Sequence, residues 1–271
     1  MLKQYLALDL GAESGRAVLG SFDGSALSMK EIHRFPNEPV RVAGSFHWDI
    51  LRLWHEITNG IRAAAPAERL DGIGVDTWGV DYALLGEGGT LLQNPYHYRD
   101  ARTDGVMDAM FGRVPASDIY AATGIQFMQL NTLVQLYAAA EQTPEVVRAA
   151  RHLLTIPDLL NYWLTGTMVT EFTNATTTQM YDPVARDWAH DLLSRFGLPS
   201  DILKPVVQPG TVLGSLRTEL LGKLRSAAVI APACHDTGSA VAAIALTPST
   251  LYISSGTWSL MGAEVPEPII T

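Results

Sequence analysis

The chain has 271 residues, with 19 Lys and Arg against 28 Asp and Glu, and its net charge of −9 and lack of any basic run exclude nucleic acid and anionic membrane as partners. At 47% hydrophobic and 17% charged it predicts a filled core, in one large domain or two smaller ones, and excludes extended disorder. A lone cysteine, Cys234, rules out an intrachain disulfide, and no run of about 18 apolar residues occurs, so the expectation is a soluble protein of a reducing, cytoplasmic compartment.

Residues 5–10 form an apolar run closed by Gly11, and runs at 16–22 and 27–35 follow, with Asp23-Gly24 between them as a turn. A three-stranded meander is predicted. Its first turn, Asp9-Leu-Gly-Ala-Glu-Ser-Gly-Arg16, is polar and glycine-bearing. Gly11 and Gly15 suit close backbone approach to a ligand. Ser14 and Arg16 suit phosphate oxygens, and Asp9 offers a hard oxygen to Mg²⁺, directly or through water. A hairpin turn that is merely polar fits the same residues, and the string matches neither the P-loop nor the dinucleotide pattern.

Residues 48–65 place Ile50, Leu51, Leu53, Trp54, Ile57 and Ile61 at helical spacing. Residues 71–78 read as a buried strand, and 80–85 with 90–92 as a hairpin across Gly86-Glu-Gly-Gly89. Strand, helix and returning strand make an α/β layered unit. Gly74-Val-Asp-Thr-Trp-Gly-Val-Asp-Tyr82 sets Trp78 beside Gly79, which offers a sugar ring a flat apolar face with Asp76 or Asp81 nearby; a core Trp with acids at strand ends fits equally. The same two readings, ligand contact or structural pairing, apply to His97, Arg99, Asp100 and Arg102. Residues 117–197 turn helical, with Pro157 at a first turn. The hydroxyl-rich run from Phe172 to Gln179 reads as a helix start or a site wall. Residues 204–214 read as a loop returning the chain to the sheet.

The run 227–231 is apolar and ends at Pro232; the cluster Cys-His-Asp-Thr-Gly-Ser follows, then a small-residue helix over 240–246. Asp236 thus sits at a strand-to-helix junction. There it either caps the helix or serves as the acid that α/β folds place at strand ends. A strand at 249–254 leads into Ser255-Gly-Thr-Trp-Ser-Leu-Met-Gly262 and repeats the first hairpin, strand, glycine turn, strand. Two such hairpins facing each other would grip one nucleotide's phosphates. Two strands cannot bury a face alone, so residues 247–271 are expected to open a second domain that continues in a longer protein.

The strings Asp9–Arg16, Gly74–Asp81, Tyr98–Thr103, Gly124–Phe127, Thr173–Gln179, His235–Thr237 and Ser254–Gly262 resemble the FGGY carbohydrate kinase family across nearly the whole chain. Among its members they are most similar to those acting on L-rhamnulose. The resemblance implies an α/β, actin-like or ribonuclease H-like fold, with nucleotide in a cleft between two domains. Here residues 1–246 would be the N-terminal sugar-binding domain, with a helical insert at about 117–200. Residues 247–271 would begin the C-terminal ATP-binding domain, which carries the adenine contacts. The implied reaction passes the γ-phosphoryl of MgATP to the 1-hydroxyl of L-rhamnulose, in a monomer or homodimer. By resemblance Ala12, Glu13, Ser14, Gly15, Arg16, Gly256 and Thr257 hold ATP phosphates; Trp78, Gly79, His235, Asp236 and Thr237 contact the sugar; Asp236 is the base; and Asp9 holds Mg²⁺ through water. Glu13 and Gly238 depart from the family's usual small polar residue and Ala. L-Fuculose or L-xylulose fits the same residue types. An actin-like ATPase shares the two hairpins but needs no sugar pocket, and a metal hydrolase built on His97, Asp100, His235 and Asp236 lacks ligand spacing.

Overall fold

A computed structural model describes residues 2–247, 250–255 and 259–271. The main sheet has six strands: β1 (Lys3–Leu10), β2 (Ser14–Phe22), β3 (Leu27–Pro36), β4 (Gly72–Thr77), β5 (Val212–Ser215) and β6 (Ala228–Ile230), in spatial order β5-β6-β4-β1-β2-β3. The meander β1-β2-β3 is antiparallel; β4 joins β1 in parallel, and β6 joins β4 in parallel.

Alternation along β1 decides which face carries chemistry. Leu6, Leu8 and Leu10 are buried, so Tyr5, Ala7 and Asp9 point the other way. Helices α1 (Ile50–Ala63) and α2 (Ile156–Thr165) cover the leucine face. Asp49 caps α1 by accepting a hydrogen bond from the Arg52 amide at 3.1 Å, and Ile50, Leu53, Ile57 and Ile61 turn inward. Close approach of α1 to the sheet requires Gly60, where a Cβ would lie 2.8 Å from that of Ala17. Pro157 opens α2 and Gly166, at φ 90°, ends it. Trp54 of α1 and Trp163 of α2 meet edge to face at 5.4 Å, so the two helices share one layer.

A second core gathers the insert: Met110, Ile119, Leu133, Leu136, Leu192 and Phe196 are buried together. Helices here begin at Val106, ahead of the predicted start at 117, and the strand His152–Thr155 interrupts them. That strand corrects the predicted hairpin, because Tyr82–Leu85 pairs with it along four residues and meets 90–92 only through a bridge at Leu91. Gly88 and Gly89, both at positive φ, turn the chain too tightly for a longer ladder. The helix α3 (Asp236–Ala242) ends four residues before the predicted stop at 246. Leu251–Ser255 and Ser259–Ala263 form the expected second hairpin as a separate two-stranded sheet. Among the described residues, no helix is long and apolar enough to cross a membrane.

Candidate functional site

The site lies on the sheet face opposite α1 and α2. The β1–β4 register sets Asp9 beside Asp76, two acids on neighbouring parallel strands pointing to the same side. Asp236 opens α3, which packs against β4. Burial first, then the charges of Asp9 and Asp236, push the Asp76 carboxyl up to about 7. Among the described residues no three His, Cys, Asp or Glu side chains come together as a metal cluster. The oxygen donors nonetheless fit Mg²⁺, which usually takes one or two carboxylates together with water and substrate phosphate.

The turn after β1 is tight, with the Gly11 amide donating to the Ser14 carbonyl at 2.9 Å. Ala12 is half-buried, while Glu13, Ser14 and Arg16 are exposed. Arg16 donates through Nε and a terminal nitrogen to Asp9 Oδ2, at 2.8 and 2.7 Å. Asp9 and Arg16 therefore occupy each other in this state. Gly15 has a packing cause rather than the expected ligand-approach one: a Cβ there would lie 2.2 Å from the Phe35 ring. Sequence reasoning missed Asn37, which braces this turn by donating from its amide to the Glu13 carbonyl (3.0 Å) and from Nδ2 to the Gly11 carbonyl (2.9 Å). Its signal was faint, a buried amide in a loop far along the chain.

At the end of β4, Trp78 is 6% exposed; its ring lies 4.1 Å from that of Trp48 and its Nε1 donates to Asp81. This corrects the expectation of an open flat face beside Gly79. Asp81 is likewise committed: Trp48 Nε1 (2.6 Å), Trp78 Nε1 (2.9 Å), Gln135 Nε2 (2.8 Å) and the Tyr98 amide (3.2 Å) all donate to it. Burial still pushes its carboxyl up to about 6, against the pull of those donors. His97 is stacked between Phe46 and Trp48 at 4.3 and 4.2 Å, and Asp100 accepts from the amides of Phe46 and Arg102. The structural reading holds for both.

Gly79 and Val80, both half-buried, continue this corner. Val80 sits at φ 67°, a left-handed conformation that strains a β-branched residue. Its amide donates to Thr177 Oγ1 (3.1 Å) and its carbonyl accepts from Thr132 Oγ1 (2.6 Å), which hold the strain in place. Thr177 also lies against Gly79, so the hydroxyl-rich run 172–179 is both a short helix and a site wall.

Opposite stands the junction of β6 and α3. Cys234 accepts from the Thr77 amide at 2.9 Å, and His235 bridges to Thr77, which ties the junction to the end of β4. The helix cap position is His235, not Asp236, and it makes no side-chain cap bond. Asp236 Oδ1 accepts from the Thr237 amide at 2.6 Å and stands 3.6 Å from His235 Nε2, with its side chain 36% exposed. Burial holds His235 below the usual imidazole range although Asp236 pulls it up, which leaves a neutral ring at pH 7. The structure thus brings Asp9, Asp76, Gly79, His235, Asp236 and Thr237 to one corner. Gly256 and Thr257 lie outside the described residues.

Comparison with known proteins fits this arrangement. The FGGY family of carbohydrate kinases, N-terminal domain, matches residues 4–243. The chain is 45% identical over its whole length to a rhamnulokinase of Bacteroides thetaiotaomicron, covering 57% of that protein, and 42% identical over 98% of itself to one of Oceanobacillus iheyensis, again covering 57%. It thus spans little more than half the length of these relatives. A ligand-bound xylulose kinase from Lactobacillus acidophilus superposes with a TM-score of 0.87 at 20% identity, over 98% of this chain and 55% of that one. At such identity the superposition speaks for the fold, the actin-like, ribonuclease H-like α/β architecture, while the family model and the close relatives speak for descent: this chain belongs to the FGGY family of carbohydrate kinases.

Proposed function

We propose that this chain supplies the sugar-binding half and the general base of an ATP-dependent kinase that phosphorylates the 1-hydroxyl of L-rhamnulose. Residues 247–271 then begin the ATP-binding half, and residues 1–271 alone bind ATP poorly and turn over almost nothing. The observation that carries this is the placement of Asp236, partly exposed, at the head of α3 beside a neutral His235 and facing Asp76 and Asp9. The named relatives, both rhamnulokinases, favour L-rhamnulose among ketoses.

Phosphoryl transfer needs positioning and charge neutralisation more than covalent chemistry. Holding the hydroxyl in line with the phosphoryl group supplies ~7–11 kcal/mol. Asp236 accepts the hydroxyl proton, a contribution of roughly 10²–10⁴-fold. His235 and Thr237 orient the sugar against the Gly79 backbone. Arg16 exchanges Asp9 for phosphate oxygen, and the freed Asp9 would then be the residue to hold Mg²⁺ through water. Magnesium, when bound, would neutralise phosphate charge. The lone buried Cys234 suits a cytoplasmic setting.

The test is a coupled ATPase assay on a chain of the relatives' full length, run against a panel of ketoses. Asp236→Asn is expected to lower kcat by roughly 10²–10⁴-fold with sugar affinity nearly unchanged. Near-normal turnover in that variant removes Asp236 as the base, and a higher kcat/KM for L-fuculose or L-xylulose removes the substrate.

A further inference from the structure

Behind the junction that carries Asp236 lies a carboxylate with no part in the reaction just described. Glu171 is fully buried, yet its side chain gathers four donors. Oε1 accepts from the Thr173 amide at 3.0 Å. Oε2 accepts from Thr173 Oγ1 (2.5 Å), the Asn174 amide (3.3 Å) and the Cys234 amide (2.9 Å). Because Thr173 Oγ1 gives its proton to Glu171, its lone pairs are free, and one accepts from the His235 amide at 3.1 Å. Two consecutive amides before Asp236 are thereby tied to one carboxylate, the first directly and the second through one hydroxyl. The same group caps the short helix Phe172–Ala175, whose continuation carries Thr177 against Gly79.

We propose that Glu171, acting through Thr173, is the positioning residue for this kinase: it fixes the Cys234–His235 backbone so that Asp236 stands in register with the Gly79 corner. The proposal rests on the reading of Asp236 as the base. A buried carboxylate is costly unless its lone pairs are filled, and here every donor comes from the two walls of the site. Such a group makes the separation of those walls a fixed quantity. The Thr173 and Asn174 amides would be served by any helix cap, whereas the bond to the Cys234 amide reaches across to the junction before Asp236.

Two readouts test it. The first is amide hydrogen exchange on residues 1–271, which needs no catalysis. Thr173→Val keeps the shape and removes the hydroxyl, and is expected to speed exchange at His235 about tenfold or more while core amides of α1 stay protected. Thr173→Ser, which keeps the hydroxyl, is expected to match the parent. The second is kinetics on a chain of the relatives' full length. Thr173→Val is expected to lower kcat 10- to 100-fold, the usual scale for a partner that orients a catalytic group, with a smaller rise in KM for the sugar and recovery in Thr173→Ser. Glu171→Gln sets an NH₂ group against the Thr173 amide, carries both readouts, and decides if Thr173→Val does not fold. Unchanged exchange at His235, or kcat within twofold of the parent, overturns the proposal. Should Asp236→Asn keep its turnover, the base assignment falls, while the exchange readout still decides whether Glu171 holds the junction.

Discussion

Gly15 separates two accounts of the first hairpin. If this glycine exists so that phosphate can approach the backbone, Gly15→Ala yields a stable protein that binds nucleotide badly. The structure predicts otherwise. An alanine Cβ would stand 2.2 and 2.4 Å from two carbons of the Phe35 ring and 3.0 Å from a third. Carbon atoms in contact sit about 3.5–4.0 Å apart, so ring or strand must move by more than ~1 Å. Phe35 is 4% exposed and its ring neighbours His33 at 5.6 Å, so the move disturbs packed surroundings. Overpacking of this kind costs about 1–3 kcal/mol. For a chain of this size each kcal/mol lowers Tm by about 2–4 °C. The assay is thermal and denaturant unfolding with no nucleotide present, on Gly15→Ala, Phe35→Leu and the double variant. Phe35→Leu opens space, so the double variant should lose less than the sum of the two singles. A Gly15→Ala chain as stable as its parent, or strict additivity, refutes the packing account.

Three further outcomes follow from buried polar groups. Asp158, held by Thr155 and the Glu171 amide, has its carboxyl pushed up to about 8 by burial, against an ordinary value of 3.8. Its stabilising contribution is therefore complete below pH ~4 and lost as pH rises through 8, with a slope approaching ~1.4 kcal/mol per pH unit. Asp158→Asn can keep both hydrogen bonds, and urea unfolding across pH 5–8 should show a flatter profile than the parent. In Asp81→Asn the new NH₂ faces Gln135 Nε2, whose amide cannot turn because Oε1 serves Arg102 and Nε2 serves Leu130. One buried donor is left unpaired, a loss of about 1–3 kcal/mol readable by denaturant unfolding. Asn37→Ala removes the Nδ2 brace on the Gly11 carbonyl, at a loss of about 0.5–1.5 kcal/mol in the same measurement.

Much of the architecture was legible because it follows short-range rules. The apolar run that forms β1, the helical spacing of the α1 stripe, and Pro157 at the start of α2 each predicted an element within a few residues. Pairing across long separations was not legible. Nothing local in Tyr82–Leu85 says that its partner lies at His152–Thr155 rather than across the nearer glycines. The corner formed by Asp9, Gly79 and Asp236 was readable as separate motifs, because each needs only a polar turn after an apolar run. What Trp78, Asp81 and His97 do was not, since a ring or an acid commits itself to core or ligand through neighbours dozens of residues away, here Trp48, Gln135 and Phe46. Glu171 escaped notice for the same reason: its partner Cys234 lies 63 residues further along the chain.

The left-handed valine at the Gly79 corner makes that corner a loaded spring with two latches. Thr132 holds one side and Thr177 the other, and neither is itself an acid or a nucleophile. Releasing either latch lets residue 80 fall back toward ordinary backbone and swings the neighbouring glycine with it. Under the proposed function, in which Gly79 meets the sugar, the accepted sugar can therefore be retuned by changing a threonine outside the carboxylate cluster, with the proposed base left as it stands.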